Sequence, residues 1–182
     1  QISSGCIYGG YEKHFTEKDT PNFDFQNGSF YSGTKALAEK VVLQNNPNSY
    51  VFRLRIPFDQ YASPRNYLTK LLSYDTLLDA ENSLSHRADF AKYVMELINQ
   101  EVPHGIYNVT NKGSVTTKDV VELIKKHNLS TKDFKFFDDL ESLGKETIAP
   151  RSNCVLDTTK IEQYTKIRTA TEALEESISK YK

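Results

Sequence analysis

SFYSGTKALAEKVVLQNNPNSYVFRLRIP, residues 29–57, is the stretch that decides how this chain is read. Residues 29–46 combine helix formers with apolar side chains at Ala36, Leu37, Val41 and Leu43, and the run stops at Asn46-Pro47. Residues 49–56 are β-branched and aromatic, which predicts a buried strand closed by Pro57. Working outward, "QISSGCIY" (1–8) reads as a strand before that helix. Helices are predicted over 65–74 and 87–100, with a strand over 105–110. A further helix over 116–128 opens on a threonine cap and carries Val120, Leu123 and Ile124 on one face. The acidic-aromatic run "DFKFFDDLESL" (133–143) predicts a strand and helix of a smaller lobe, and a last helix is expected over 169–181. Helix and strand alternate throughout, which predicts an α/β protein with a mainly parallel sheet.

Composition narrows the function classes. Lys and Arg number 23 against 24 Asp and Glu, a net charge of −1, so no electrostatic footprint marks a nucleic-acid or anionic-membrane partner. No apolar run approaches the roughly 20 residues of a spanning helix. Two cysteines, Cys6 and Cys154, are too few for a disulfide framework, and a reduced cytoplasmic setting is expected. The four histidines are scattered without ligand spacing, so no metal site is predicted. Asp138 and Asp139 read as solvated, and Cys154 as buried and inert. Gln1 and Ile2 look like the interior of a strand, and the expectation is a fragment of a longer protein.

Tyr31 and Lys35 stand four apart in Y-S-G-T-K. On a helix this spacing puts both side chains on one face, about 5 to 6 Å apart at Cβ. A free phenol titrates near 10, too high for acid–base work at neutral pH, unless a fixed ammonium favours the phenolate. Ser4 ends the preceding strand, and the crossover brings Tyr31 towards it, where parallel sheets build their sites. Ser4 is then placed to share a hydrogen bond with a carbonyl that Tyr31 protonates.

This set resembles the extended short-chain dehydrogenase/reductase family. Ser4, Tyr31 and Lys35 match its Ser/Thr and Tyr-x-x-x-Lys residues, and "GCIYGG" matches its strand end. "GSFYSGTKALAEK", "LRIPF", "SPRNYLTK", "GIYNVTNKG" and "APRSN" are similar, in order, to the branch that 3,5-epimerises and 4-reduces UDP-4-keto-6-deoxyglucose on the way to UDP-rhamnose. The resemblance implies the C-terminal part of a Rossmann-type sheet with a small α/β substrate-binding lobe. Residues 1–58 and 88–110 would be sheet, and 59–87 and 111–182 lobe. It implies Tyr31 as acid/base, Lys35 on the nicotinamide ribose of NADPH with Pro57 nearby, and Ser4 on the substrate carbonyl. The family's Gly-rich phosphate loop has no counterpart here, since "GGYEKH" lacks the required spacing. Most of the NADPH site is therefore expected to be missing.

Cys6 gains a role in that frame. On a strand, Ser4 and Cys6 point to the same face, which puts a thiol near the ring carbons flanking a 4-keto group. Epimerisation at C3 and C5 needs a base on one face of the ring and an acid on the other. In the epimerase/reductases of the family a cysteine occupies this place, and pure 4-reductases do without it. Fucose-forming relatives supply the partner as a histidine after the catalytic helix. This chain has none between Lys35 and His86, and Lys70 of "PRNYLTK" matches the lysine of the rhamnose branch. A lysine in that role needs burial or a cationic neighbour. Arg151 suits the nucleotide diphosphate. Arg65 and Asn66 are candidates for the sugar pocket or for a helix N-terminus.

The expected whole is a homo-oligomeric enzyme with a nucleotide-sugar substrate. The alternatives are a dTDP-4-dehydrorhamnose-type reductase without epimerase activity and a non-catalytic Rossmann-like nucleotide-binding module.

Overall fold

The computed structural model describes residues 1–137 and 150–182. Three strands, β1 (Ile2–Ser4), β2 (Tyr50–Leu54) and β6 (Gly105–Asn108), form a parallel sheet in the order β1-β2-β6. Ser4 lies opposite Leu54 and Arg53 opposite Asn108. Between β1 and β2 runs α1 (Phe30–Asn45), which starts where the Ser29 hydroxyl accepts the Ser32 N–H at 3.1 Å and stops before Pro47. Helix α3 (Arg87–Asn99) leads into β6.

Alternation along β2 sends neighbouring side chains to opposite faces. Phe52 packs with Tyr93 and Leu97 of α3, whereas Arg53 turns to α1. The sheet is thus covered by helices on both faces, the arrangement in which a continuous parallel sheet is buried. Arg53 is 1% exposed, and its guanidinium forks onto Glu39, at 2.9 Å from Oε1 and 2.6 Å from Oε2. Ser3 donates to the same carboxylate, and the Arg53 Nη1 donates to the Tyr8 phenol oxygen at 3.0 Å. Burial pushes the Tyr8 phenol up to about 12, so it stays protonated and donates onward to the Asp19 carbonyl at 2.6 Å. One closed polar network therefore fixes α1 on β1 and β2.

A second core gathers around Phe58, Leu68, Leu84, Ile124 and Leu174. It is built from α2 (Tyr67–Ser73), α4 (Thr117–Lys126) and α6 (Ala170–Ser179), with two-residue parallel pairs between β3 (Pro57–Phe58) and β5 (Ser85–His86) and between β4 (Thr76–Leu77) and β7 (Lys135–Phe136). Helices α4 and α6 each open on a reciprocal capping box, Thr116 with Asp119 and Thr169 with Glu172. The short helix α5 (Thr159–Glu162) places Ile161 in the sheet-side core with Tyr107.

Two expectations change. The predicted strand 1–8 ends at Ser4, because Gly5–Ile7 form a single 3-10 turn capped by the Ser4 hydroxyl. The strand predicted to run to Ile56 ends at Leu54, since Ile56 adopts φ 39° just before Pro57. A β-branched residue in that region is costly, roughly 1–3 kcal/mol, and this one sits at the wall of the cavity described next. Of the run 133–143, β7 is a strand. The helix expected after it, with Asp138 and Asp139, lies outside the described residues.

Candidate active site

Beyond the C-terminal ends of β1 and β2, against Leu71, Leu77, Leu84 and Val115 of the second core, lies a cavity of about 610 Å³. The 3-10 turn brings Cys6 into its wall, the end of β2 brings Arg55 and Pro57, and the first turn of α1 brings Tyr31. Facing them are Arg65 before α2, Lys70 on α2, and Arg151 from the segment before α5. Six of the predicted site residues thus share one cavity: Cys6, Tyr31, Pro57, Arg65, Lys70 and Arg151.

The other three take different places. Ser4 is 3% exposed and does not line the cavity. Its Oγ accepts the Cys6 N–H at 3.1 Å, so it acts here as the cap that shapes the turn. The same-face argument from strand alternation fails with it, because no strand connects Ser4 to Cys6; the turn presents the thiol instead. Asn66 is fully buried. Its Nδ2 donates to Asp59 and to the Tyr61 carbonyl, and its Oδ1 accepts the Leu68 N–H at 3.0 Å. Of its two candidate roles, the structure shows the helix N-terminus. Lys35 sits one turn beyond Tyr31, its Nζ 5.8 Å from the centre of the Tyr31 ring and donating to the Ile2 carbonyl at 3.1 Å. That carbonyl lies on β1, the outermost strand of the described sheet.

Tyr31 is 51% exposed and lines the cavity. Lys70 lines the same cavity but is exposed, so the burial expected of a proton-exchanging lysine is not found. Burial pushes the Cys154 thiol up, and its Sγ donates to the Gly5 carbonyl at 3.4 Å, which keeps it an inert core group.

Sequence reasoning passed over Arg55. It is 1% exposed, and its Nη1 donates to the Cys6 Sγ at 2.9 Å and to the Ser152 Oγ at 3.1 Å. Nη2 donates to Asn82 Oδ1 at 2.6 Å and to the Ser152 carbonyl. The signal was there in "RLRI": two arginines at period two inside an apolar strand must both find buried partners. Phe23 was missed too. Its ring lines the cavity and rests against Gly9 and Gly28, and a Cβ on Gly28 would stand 2.7 Å from that ring and 2.8 Å from the Asp24 carbonyl.

Among the described residues the cavity wall holds four cations, Arg55, Arg65, Lys70 and Arg151, and no carboxylate. In a chain of net charge −1 that is a local concentration of positive potential, suited to an anion carrying several oxygens.

The family model described as "RmlD substrate binding domain" matches residues 1–182. The chain belongs to the RmlD substrate-binding domain family. A bifunctional dTDP-4-dehydrorhamnose 3,5-epimerase/dTDP-4-dehydrorhamnose reductase of Arabidopsis thaliana is 35% identical over 168 residues, 88% of this chain and 54% of that protein. A trifunctional UDP-glucose 4,6-dehydratase/3,5-epimerase/UDP-4-keto-L-rhamnose-reductase of the same plant is 32% identical over 171 residues, 89% of this chain and 24% of that protein. The crystal structure of the L780 UDP-rhamnose synthase from Acanthamoeba polyphaga mimivirus superposes with a TM-score of 0.89 at 27% identity, over 98% of this chain and 63% of that one. A dTDP-4-dehydrorhamnose reductase from Clostridium acetobutylicum, at 22% identity and TM-score 0.77, shares the fold. This RmlD-family chain has the Rossmann-like α/β fold with a parallel sheet, and it spans about half the length of the bifunctional plant relative.

Proposed function

We propose that this chain carries the substrate side of an enzyme that epimerises UDP-4-keto-6-deoxyglucose at C3 and C5 and then reduces C4 with NADPH, giving UDP-L-rhamnose. The observation that carries the reading is the single cavity in which Cys6, Tyr31 and Lys70 stand among cations, with no carboxylate among the described residues of its wall. Names of relatives at 35% and 32% identity, which join epimerase and reductase activities, support it.

Each residue has a task in this scheme. Arg65 and Arg151, exposed at the wall, take the diphosphate oxygens as charge-assisted hydrogen-bond donors. Cys6 and Lys70 exchange protons with the carbons beside the ketone, whose hydrogens the carbonyl acidifies. Tyr31 gives its phenolic proton to the C4 oxygen as reduction proceeds, and Lys35 favours the phenolate left behind. NADPH, when bound, supplies the hydride. The residues present fit its reactive end: Lys35 uses one of its three N–H donors on Ile2 and keeps two for a ribose. They do not fit its pyrophosphate, for which these 182 residues hold no Gly-rich loop.

The reading places the chain among the extended short-chain dehydrogenase/reductases, with residues 1–58 and 88–110 as sheet domain and 59–87 and 111–182 as substrate lobe. A homo-oligomer in the cytoplasm belongs to the same reading, and no helix of the described residues is long and apolar enough to cross a membrane. The intact gene product, given the UDP-keto-sugar and NADPH, should yield UDP-L-rhamnose by NMR. The competing reading, a 4-reductase without epimerase activity, predicts turnover only of a substrate already epimerised.

A further inference from the structure

Arg53 and Arg55 are two residues apart on β2 and its continuation, and each is 1% exposed. Arg53 is neutralised by Glu39. Arg55 forms no ion pair among the described residues. Four of its five N–H groups go to Cys6, Ser152 and Asn82, and the fifth, on Nε, is buried without a partner among the described residues. A buried guanidinium with only neutral acceptors is expensive, because no counter-charge offsets the loss of its hydration. A negative charge formed beside such a group would offset that cost. The acceptor that can become an anion is the Cys6 sulfur, 2.9 Å from Nη1.

We propose that Arg55 is the positioning residue of the Cys6 thiol, holding Sγ towards the cavity and stabilising the negative charge that proton transfer forms on it. The proposal rests on the epimerase reading above. As a base, the Cys6 thiolate takes a proton from the carbon beside the ketone, and the C–H electron pair moves into the enolate. As an acid, the thiol gives its proton to that carbon and the sulfur keeps the S–H pair. Arg55 retains its protons in both directions, since a guanidinium does not deprotonate in proteins. The Ser152 and Asn82 contacts fix the fork, and Gly5 leaves room for it: a Cβ there would stand 3.2 Å from the Arg55 Cδ and 2.8 Å from Leu156.

The test is alkylation of Cys6 by iodoacetamide in the intact gene product at pH 7, read by peptide mass spectrometry, since the thiolate is the reacting form. Relative to wild type, Arg55→Met should slow modification about tenfold, and Arg55→Lys, which keeps the charge, should stay within about threefold. Cys154, fully buried, reports folding by staying unmodified. If it becomes reactive in Arg55→Met, Arg55→Gln takes that variant's place with the same expected slowing. Solvent-deuterium exchange at C3 and C5 should fall in the same order, wild type, Lys, Met. A Cys6 rate unchanged by removal of the charge in a folded variant overturns the proposal. Exchange that survives Cys6→Ala refutes the epimerase reading instead, and the alkylation rates still judge Arg55.

Discussion

At the scale of single residues, the site divides into groups that face the cavity and groups that hold them there. Tyr31 lines it, and in the proposed function contributes only its phenol oxygen to reduction. Tyr31→Phe should therefore lower carbonyl reduction about a thousandfold in the intact protein while leaving the thermal midpoint within about 2 °C. NADPH oxidation at the normal rate would remove Tyr31 as proton donor. Gly5 belongs to the holding groups. Gly5→Ala drives a methyl into Leu156 and against Arg55, and should cost about 1–3 kcal/mol with a loss of Cys6 reactivity. A fully stable variant with unchanged alkylation would show that the turn has slack. The candidate residues were legible in sequence where a spacing carries them, as Tyr31 and Lys35 do. Arg55 was not, because its meaning lies in what it lacks among the described residues: a carboxylate partner, visible only once Glu39 is seen to serve Arg53.

At the scale of elements, α1 matters as a rigid carrier. Glu39 lies one turn beyond Lys35 and two beyond Tyr31, so its fork with Arg53 sets where both side chains stand. Removing one partner of a buried pair costs about 3–5 kcal/mol. Glu39→Ala should then lower the thermal midpoint by roughly 10 °C and reduce carbonyl reduction as α1 shifts. An unaltered midpoint by calorimetry would mean that the pair is dispensable. A second junction ties the start of α3 to the segment before α6: the Asp89 carboxylate accepts from Asn111 Nδ2 at 2.7 Å and from Arg168 Nε at 2.5 Å. Burial raises this carboxyl, and the His86 ring, Arg168 and Asn111 more than reverse that and hold it at about 2. A folded value below the unfolded one stabilises the fold above about pH 4, and that contribution is lost as pH falls towards 2. Asp89→Asn should flatten the loss of stability between pH 4 and 2, as followed by circular dichroism; an unchanged acid profile would contradict this.

The helices and long strands were readable because periodicity and caps are local signals, Thr116 among them. The two-residue strands β3, β4 and β5 were not, since a run that short has no period, whereas β7 falls in the run 133–143 where a strand was expected. The 3-10 turn after Ser4 hid behind residues that alternate acceptably as a strand, and only the cap on Cys6 reveals it.

At the scale of the whole molecule, the cavity draws on several stretches far apart in sequence, from Cys6 to Asn153, which explains why its volume and charge were beyond any local pattern. In the proposed function it holds a substrate-side site and the reactive end of a cofactor site. Without a Gly-rich loop to cradle a pyrophosphate, two donors on Lys35 offset little of the entropic cost of binding. The 182-residue chain alone should therefore give no saturable NADPH fluorescence change at micromolar concentrations, and micromolar affinity would contradict that division of labour. The central claim is that Cys6, Lys70 and Tyr31 serve two reactions in one cavity. Deuterium incorporation from solvent into C3 and C5 of UDP-4-keto-6-deoxyglucose, followed by NMR with the intact gene product, tests it most directly. The account predicts exchange at both carbons by the wild type and its loss by at least about a hundredfold in Cys6→Ala and in Lys70→Ala. Undiminished exchange in both variants would contradict it.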